Sequence, residues 1–206
     1  MSALLFDVDG VLIDSTASYA RVWRHWAEHH GLDGDVVVAA THGRRGEDTV
    51  REVAPHLDHE SEQPLFRQLM TAELANIVAM PGAADLLAAL PAQTWGCVTS
   101  GGRRWVRQRF ADAGLELPQV LVTADDVEFG KPDPSCYLLG AQQLGRDPRD
   151  CLVVEDAVAG IAAGHAAGMK VVGLATTHGR HEIAAADHIF DSLAAAVPFL
   201  MEHASR

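Results

Sequence analysis

The stretch CLVVEDAVAGIAAGHAAGMKVVGLA, residues 151–175, decides the fold. Cys151 to Val154 is an unbroken apolar run, and its lack of alternation predicts a strand buried on both faces. The run stops at Glu155-Asp156. A helix of small residues is predicted over 157–167, ended by Gly168, and a second apolar strand over 170–175. Working outward, the alternation continues. A short strand is expected near 188–190. On the other side lie a helix (83–90), a strand ending at Thr99, a helix (103–113), a strand near 119–123, a loop through GKPDP and a helix (134–145). Ala3 to Phe6 is the first strand, cut off at Asp7. Strands and helices alternating through short Gly/Pro turns predict an α/β fold, a doubly wound parallel sheet with helices on both faces. The GxxxGxxxG spacing of Gly160, Gly164 and Gly168 then reads as close helix-on-sheet packing, since flanking charges argue against membrane helix pairing.

Residues 15–80 read differently. Tyr19, Val22, Trp23 and Trp26 recur at helical spacing until Gly31, and Val50, Val53 and Ala54 continue that style. So do Leu65, Phe66, Leu69, Met70 and Leu74. No strand is predicted between 33 and 80, and Pro81-Gly82 breaks the chain. The expected organisation is a core domain of residues 1–14 and 81–206, with a small α-helical domain, 15–80, inserted into it.

Composition narrows the function. Hydrophobic residues at 48% and charged residues at 21% exclude disordered, collagenous and disulfide-scaffold classes. The formal net charge of −12 disfavours nucleic acid and anionic membrane as partners. Cys97, Cys136 and Cys151 have no CxxC spacing, which argues against a disulfide framework or zinc knuckle and suits a reducing cytoplasm. MSALLFDVDG reaches Asp7 too early for the apolar core of a signal peptide. The expected partner is a small molecule, and the expected state a cytoplasmic monomer or weak dimer.

In an open parallel sheet, ligands bind beyond the carboxyl ends of the strands, and four polar clusters sit there. Asp7-Val8-Asp9-Gly10 puts two carboxylates two residues apart, fit to share a cation or to divide the roles of acid and base. Gly10 lets the backbone turn tightly and approach a bound anion. The competing reading is a DG turn with solvated aspartates. Thr99-Ser100-Gly101-Gly102 leads into a helix and offers hydroxyls and backbone N–H groups to an anion, or Ser100 merely caps that helix. In Gly130-Lys131-Pro132 the proline restricts the lysine's backbone, and Lys131 is one of only two lysines in the chain. Glu155-Asp156 is a hard-cation donor pair of the magnesium kind, although Asp156 would also suit a helix N-cap. Together these supply a nucleophile, a proton donor, charge neutralisers and metal ligands, the inventory of phosphoryl transfer with Mg2+.

FDVDGVLIDS, CVTSGG, GKPDPSCYLLGA and LVVEDAVAGIAAGHAAGM resemble, in order, the four motifs of the haloacid dehalogenase superfamily of phosphatases. The resemblance spans nearly the whole chain, and the helical segment resembles that family's small cap. VTSGG, TADDVEFGKPDPSCYLLGAQQLG and HGRRGEDTV are similar to bacterial sugar phosphatases and fungal glycerol-phosphate phosphatases. The resemblance implies that Asp7 is the nucleophile forming an aspartyl-phosphate and that Asp9 protonates the leaving alcohol, then deprotonates water. It implies phosphate binding by Gly10, Thr99, Ser100, Gly101 and Lys131. Magnesium would be held by Asp7, the Asp9 backbone carbonyl and Asp156, with Glu155 as a ligand or a support for one.

Specificity is expected in the cap, at Trp23, His42, Arg44 and Arg45. Arg103 and Arg104 read as surface residues, and His25, His29 and His30 as a polar helix face with no third zinc ligand nearby. The related β-phosphoglucomutases use a histidine where this chain has Tyr19, and a cap lysine that it lacks. The predicted activity is therefore hydrolysis of a small sugar or polyol phosphate. The alternatives are a phosphosugar mutase and a non-enzymatic phospho-accepting or phosphate-binding relative.

Overall fold

The computed structural model describes residues 2–73 and 77–205. In chain order its elements are β1 (Ala3–Phe6), β2 (Ile13–Asp14), α1 (Thr16–His29), α2 (Gly34–Thr41), α3 (Gly46–Val53), α4 (His59–Glu73), β3 (Val78–Ala79), α5 (Ala83–Ala89), β4 (Trp95–Val98) and α6 (Arg103–Asp112). They continue as β5 (Val120–Val122), α7 (Ser135–Gln143), β6 (Cys151–Glu155), α8 (Val158–Ala166), β7 (Lys170–Leu174), β8 (His188–Phe190) and α9 (Leu193–Ala204). Leu74, included in the helical pattern above, lies outside the described residues.

Six strands form one sheet in the order β5-β4-β1-β6-β7-β8, every neighbouring pair parallel. Its two faces are filled by different halves of the same strands, because successive side chains point opposite ways. Leu4, Phe6, Leu152 and Val154 meet Leu86, Val106, Phe110 and Leu200 of α5, α6 and α9. Ala3, Leu5 and Val153 meet Tyr137, Ala141, Ile161 and Ala163 of α7 and α8 on the other side. Each fully buried Leu, Phe or Val contributes about 1.5–3 kcal/mol. The doubly wound parallel sheet is thus as the sequence predicts, and the α8 glycines show why. A Cβ on Gly164 would lie 2.8 Å from Val171 Cγ2, so the helix seats directly on the sheet.

Two expectations need correction. Residues 33–80 do contain strand: β3 pairs antiparallel with β2, Ile13 opposite Ala79 and Asp14 opposite Val78. Two-residue strands carry no periodicity, and their partners lie far apart in sequence. The pair ties together the chain's exit from β1 and its return, reinforced by Met80 N donating to the Leu12 carbonyl at 2.9 Å. A final helix, α9, also goes beyond the predicted elements, with Ser192 capping it through Ala195 N. Between β2 and β3, α1 to α4 close around their own cluster, in which Trp23 meets Trp26 and Phe66 at ring-centroid distances of 5.5 and 4.8 Å.

Candidate active site

The sheet order places β1 between β4 and β6, so the clusters that follow these three strands converge with the β5–α7 loop that carries Lys131. Above them, α1 to α4 and the loop at 42–45 roof a cavity of about 330 Å³. Asp7 is held at its floor by its own N–H, which donates to the Val154 carbonyl at 2.9 Å. Gly10 turns the chain with φ 80°, and a Cβ there would collide with the Asp156 carboxylate. The tight approach that the glycine permits is thus to another acid of the cluster.

Lys131 is buried. Its Nζ donates to Asp7 Oδ1 at 2.6 Å, to Glu155 Oε1 at 2.7 Å and to the Val98 carbonyl at 3.2 Å. Burial alone would pull the ammonium down, but Asp7 and Glu155 outweigh it and hold Lys131 well above the usual lysine range. Glu155 is fully enclosed. Its Oε2 accepts from the backbone N–H groups of Asp156 and Ala157, and its Oε1 also accepts from Tyr137. Burial raises Glu155, but Lys131 and these donors prevail, so it stays below the usual carboxylate range. A Cβ on Gly160 would overlap this carboxylate, which explains the first glycine of α8.

The other carboxyls lack such compensation. Burial pushes Asp7 up to about 7; Lys131 opposes this, while Glu155 and Asp9 add to it. Burial, then Glu155 and Asp7, raise Asp156 well above the ordinary value. One oxygen each of Asp7, Glu155 and Asp156 lies within 4.8 Å of the others. Three buried carboxyls face one lysine here. A hard divalent cation fits that donor set, because it would supply the missing positive charge. With both Glu155 oxygens engaged, Asp7 and Asp156 are the donors free to turn to it.

Asp156 does not cap α8, whose N-cap is Ala157; its Oδ2 accepts from Thr177 Oγ1 at 2.5 Å. Ser100 does not cap α6 either, since Gly102 holds that position. Ser100 Oγ donates to the Gly43 carbonyl at 3.0 Å, joining the sheet loop to the helical segment, and Thr99 Oγ1 accepts from Gly101 N at 3.0 Å. Both capping readings therefore fail. Asp9 lines the cavity, with Ser15 donating to Oδ1 and Arg109 Nη2 3.1 Å from Oδ2.

Trp23, His42, Arg44 and Arg45 all line the cavity. Trp23 also belongs to the helical core. Arg44 is paired with Glu52. Arg45 grips Asp48 at 2.7 Å and donates to the Glu128 carbonyl at 2.9 Å, so its guanidinium fastens the helical segment to the β5–α7 loop. His42 packs edge-on to His178, ring centroids 5.0 Å apart, and burial and that neighbour hold it below the usual histidine range. Arg103 pairs with Asp126, His25 with Glu73 and His30 with Glu62. Sequence reasoning passed over Ser15, Thr177, Tyr137 and Arg109. Arg109 alone left a trace, standing with Val106, Phe110 and Ala113 on the apolar side of α6.

Residues 1–168 match the sequence profile of the haloacid dehalogenase-like hydrolases. The chain belongs to that family. Among haloacid dehalogenase-like relatives, it is 42% identical to hexitol phosphatase A of Escherichia coli K12 over 173 residues, 82% of this chain and 80% of that one. It is 38% identical to glycerol-1-phosphate phosphohydrolase 2 of Saccharomyces cerevisiae over 189 residues, 86% of this chain and 76% of that one. A hydrolase from Pseudomonas syringae superposes with a TM-score of 0.88 at 25% identity, covering 98% of this chain and 99% of the other. This haloacid dehalogenase-like chain is a phosphoric monoester hydrolase.

Proposed function

We propose that the protein hydrolyses phosphate monoesters of small polyols or sugars, dependent on Mg2+, through an aspartyl-phosphate on Asp7. The observation that carries this reading is the Asp7–Lys131–Glu155 cluster with Asp156 beside it and Asp9 at the cavity wall. Asp7 Oδ attacks phosphorus, the bond from phosphorus to the ester oxygen breaks, and Asp9 gives that oxygen a proton. Water then attacks the phosphoryl group, Asp9 takes its proton, and the bond to Asp7 breaks to release inorganic phosphate. Lys131 and the loop at Thr99 to Gly101 face the charge of the transferring group. Asp7 and Asp156, with the Asp9 carbonyl, would hold Mg2+, which supplies the charge that keeps Asp7 ionised and steadies the phosphoryl oxygens.

The rest of the cavity supports a neutral, hydroxyl-bearing leaving group. Arg44 and Arg45, the cations lining it, already face Glu52 and Asp48, so no unpaired charge awaits a second phosphate or carboxylate among the described residues. His42, His59 and Gln63 present hydrogen-bonding atoms beside Trp23, Phe66 and Trp105. The helical segment 15–80 then acts as a cap over a core of 1–14 and 81–206. The absence of lysine from this cap, and Tyr19 in place of histidine, favour water over a sugar hydroxyl as acceptor. The three cysteines are free and buried, which suits a cytoplasmic enzyme. Among the described residues no helix is long and apolar enough to cross a membrane.

The test is phosphate release from glycerol, hexitol, hexose and dicarboxylate-bearing phosphate esters, with magnesium or with chelator. Magnesium-dependent turnover that favours the uncharged polyol and sugar esters is expected. Release that persists in chelator, or that favours the charged esters, contradicts the proposal.

A further inference from the structure

Arg109 is fully buried beneath the loop at Thr99 to Gly102, more deeply than Arg45, the other buried arginine among the described residues. Its Nη2 lies 3.1 Å from Asp9 Oδ2, Nη1 donates to the Tyr19 hydroxyl of α1, and the guanidinium carbon is 5.0 Å from the Tyr19 ring centre. Nε and Nη2 find no well-directed hydrogen-bond acceptor among the described residues. Burying a guanidinium so poorly satisfied is costly, and an apolar side chain would serve packing better. Space has also been cleared for it: a Cβ on Gly101 would lie 2.6 Å from Nη2. Arg109 does not line the cavity, so it does not reach bound phosphate directly.

We infer that Arg109 is a positioning residue for the proton-transferring carboxyl. Paired with Oδ2 of Asp9 while Ser15 holds Oδ1, it fixes the plane of that carboxyl against the ester oxygen, and Tyr19 fixes Arg109 in turn. The inference rests on the phosphatase reading and on the role given there to Asp9. It deepens that reading by tying proton transfer to a residue of the first cap helix.

The experiment compares kcat/KM for glycerol phosphate, whose alkoxide must be protonated, with that for p-nitrophenyl phosphate, whose leaving group needs little help. In Arg109→Met the alkyl ester should lose roughly 10- to 100-fold, part of the full worth of an acid catalyst. The aryl ester should lose less than about 3-fold, and inhibition by inorganic phosphate should be unchanged. Tyr19→Phe should show the same selective loss at smaller size, and decides the matter if Arg109→Met does not fold. Equal losses on both esters, weakened phosphate inhibition, or no loss would overturn the inference. Failure of the phosphatase reading is seen separately, as wild-type protein that releases phosphate from neither ester.

Discussion

Lys131 sets the charge balance of the centre: one buried ammonium answers Asp7 and Glu155 at 2.6 and 2.7 Å. Removing one partner of a buried ion pair leaves the other charge unmet, at about 3–5 kcal/mol. Lys131→Met should therefore lower stability by that order and abolish turnover. Adding Glu155→Gln should recover more than half of the stability by removing the orphaned anion, without restoring activity. Denaturant titration beside an assay separates the two effects, and a double variant no more stable than the single one would contradict the pairing. The acids and the lysine were legible in the sequence because each stands directly after an apolar run or inside a Gly/Pro turn. The division of labour was not. Glu155 and Asp156 are adjacent letters, yet only the fold turns one toward Lys131 and leaves the other beside Asp7. Arg109 reads as one of four arginines between 103 and 109, and its burial depends on which side of α6 turns inward with Val106 and Phe110.

Between elements, the helical segment α1 to α4 meets the loops of the sheet through side chains that donate to backbone carbonyls. Gly43 has φ 70°, its carbonyl accepts from Ser100, and a Cβ there would lie 2.7 Å from Ala157 Cβ. Gly43→Ala should strain this contact by about 1–2 kcal/mol, which amounts to roughly 5- to 30-fold in the docking equilibrium. The expected result is a KM raised by up to that factor with an unchanged melting midpoint, since the sheet is untouched. Steady-state kinetics with calorimetry tests this, and an unchanged KM would show that docking at Gly43 plays no part. Arg45→Met, which removes the link to the Glu128 carbonyl, should act in the same direction. The long elements of the sheet and its helices were legible because burial on two faces dictates unbroken apolar strands. The β2–β3 clasp and α9 were not: two-residue strands have no period, and Pro198 interrupts the apolar pattern of the last helix.

For the whole molecule, the far end of the sheet depends on Asp187. It accepts from Lys170 at 2.6 Å, from Val171 N at 2.9 Å and from His165 at 3.0 Å, joining β7 and α8 to the segment before β8. Burial raises its carboxyl, but these donors outweigh it and hold it well below the usual carboxylate range. A depressed folded value means stability that is present above the unfolded value near ~3.9 and lost as pH falls below it. Asp187→Asn should be less stable than wild type by about 1–3 kcal/mol at neutral pH, with the gap closing at acidic pH. Urea titrations at both pH values test the sign, and a gap that widened in acid would refute it. The α/β architecture itself was legible from one strand–helix–strand stretch, because a parallel sheet admits few ways to cover both faces. How deep the cavity runs depends on the angle at which α1 to α4 meet the sheet, and no local pattern encodes that.

Whether Asp7 carries the phosphoryl group is tested by acid quench during turnover of glycerol phosphate with magnesium, followed by peptide mass spectrometry. One phosphoryl group is expected on the peptide containing Asp7, cleaved by hydroxylamine and absent from both Asp7→Asn and the chelated enzyme. Phosphate release with no phosphorylated peptide, or with the phosphoryl group on another residue, would contradict it.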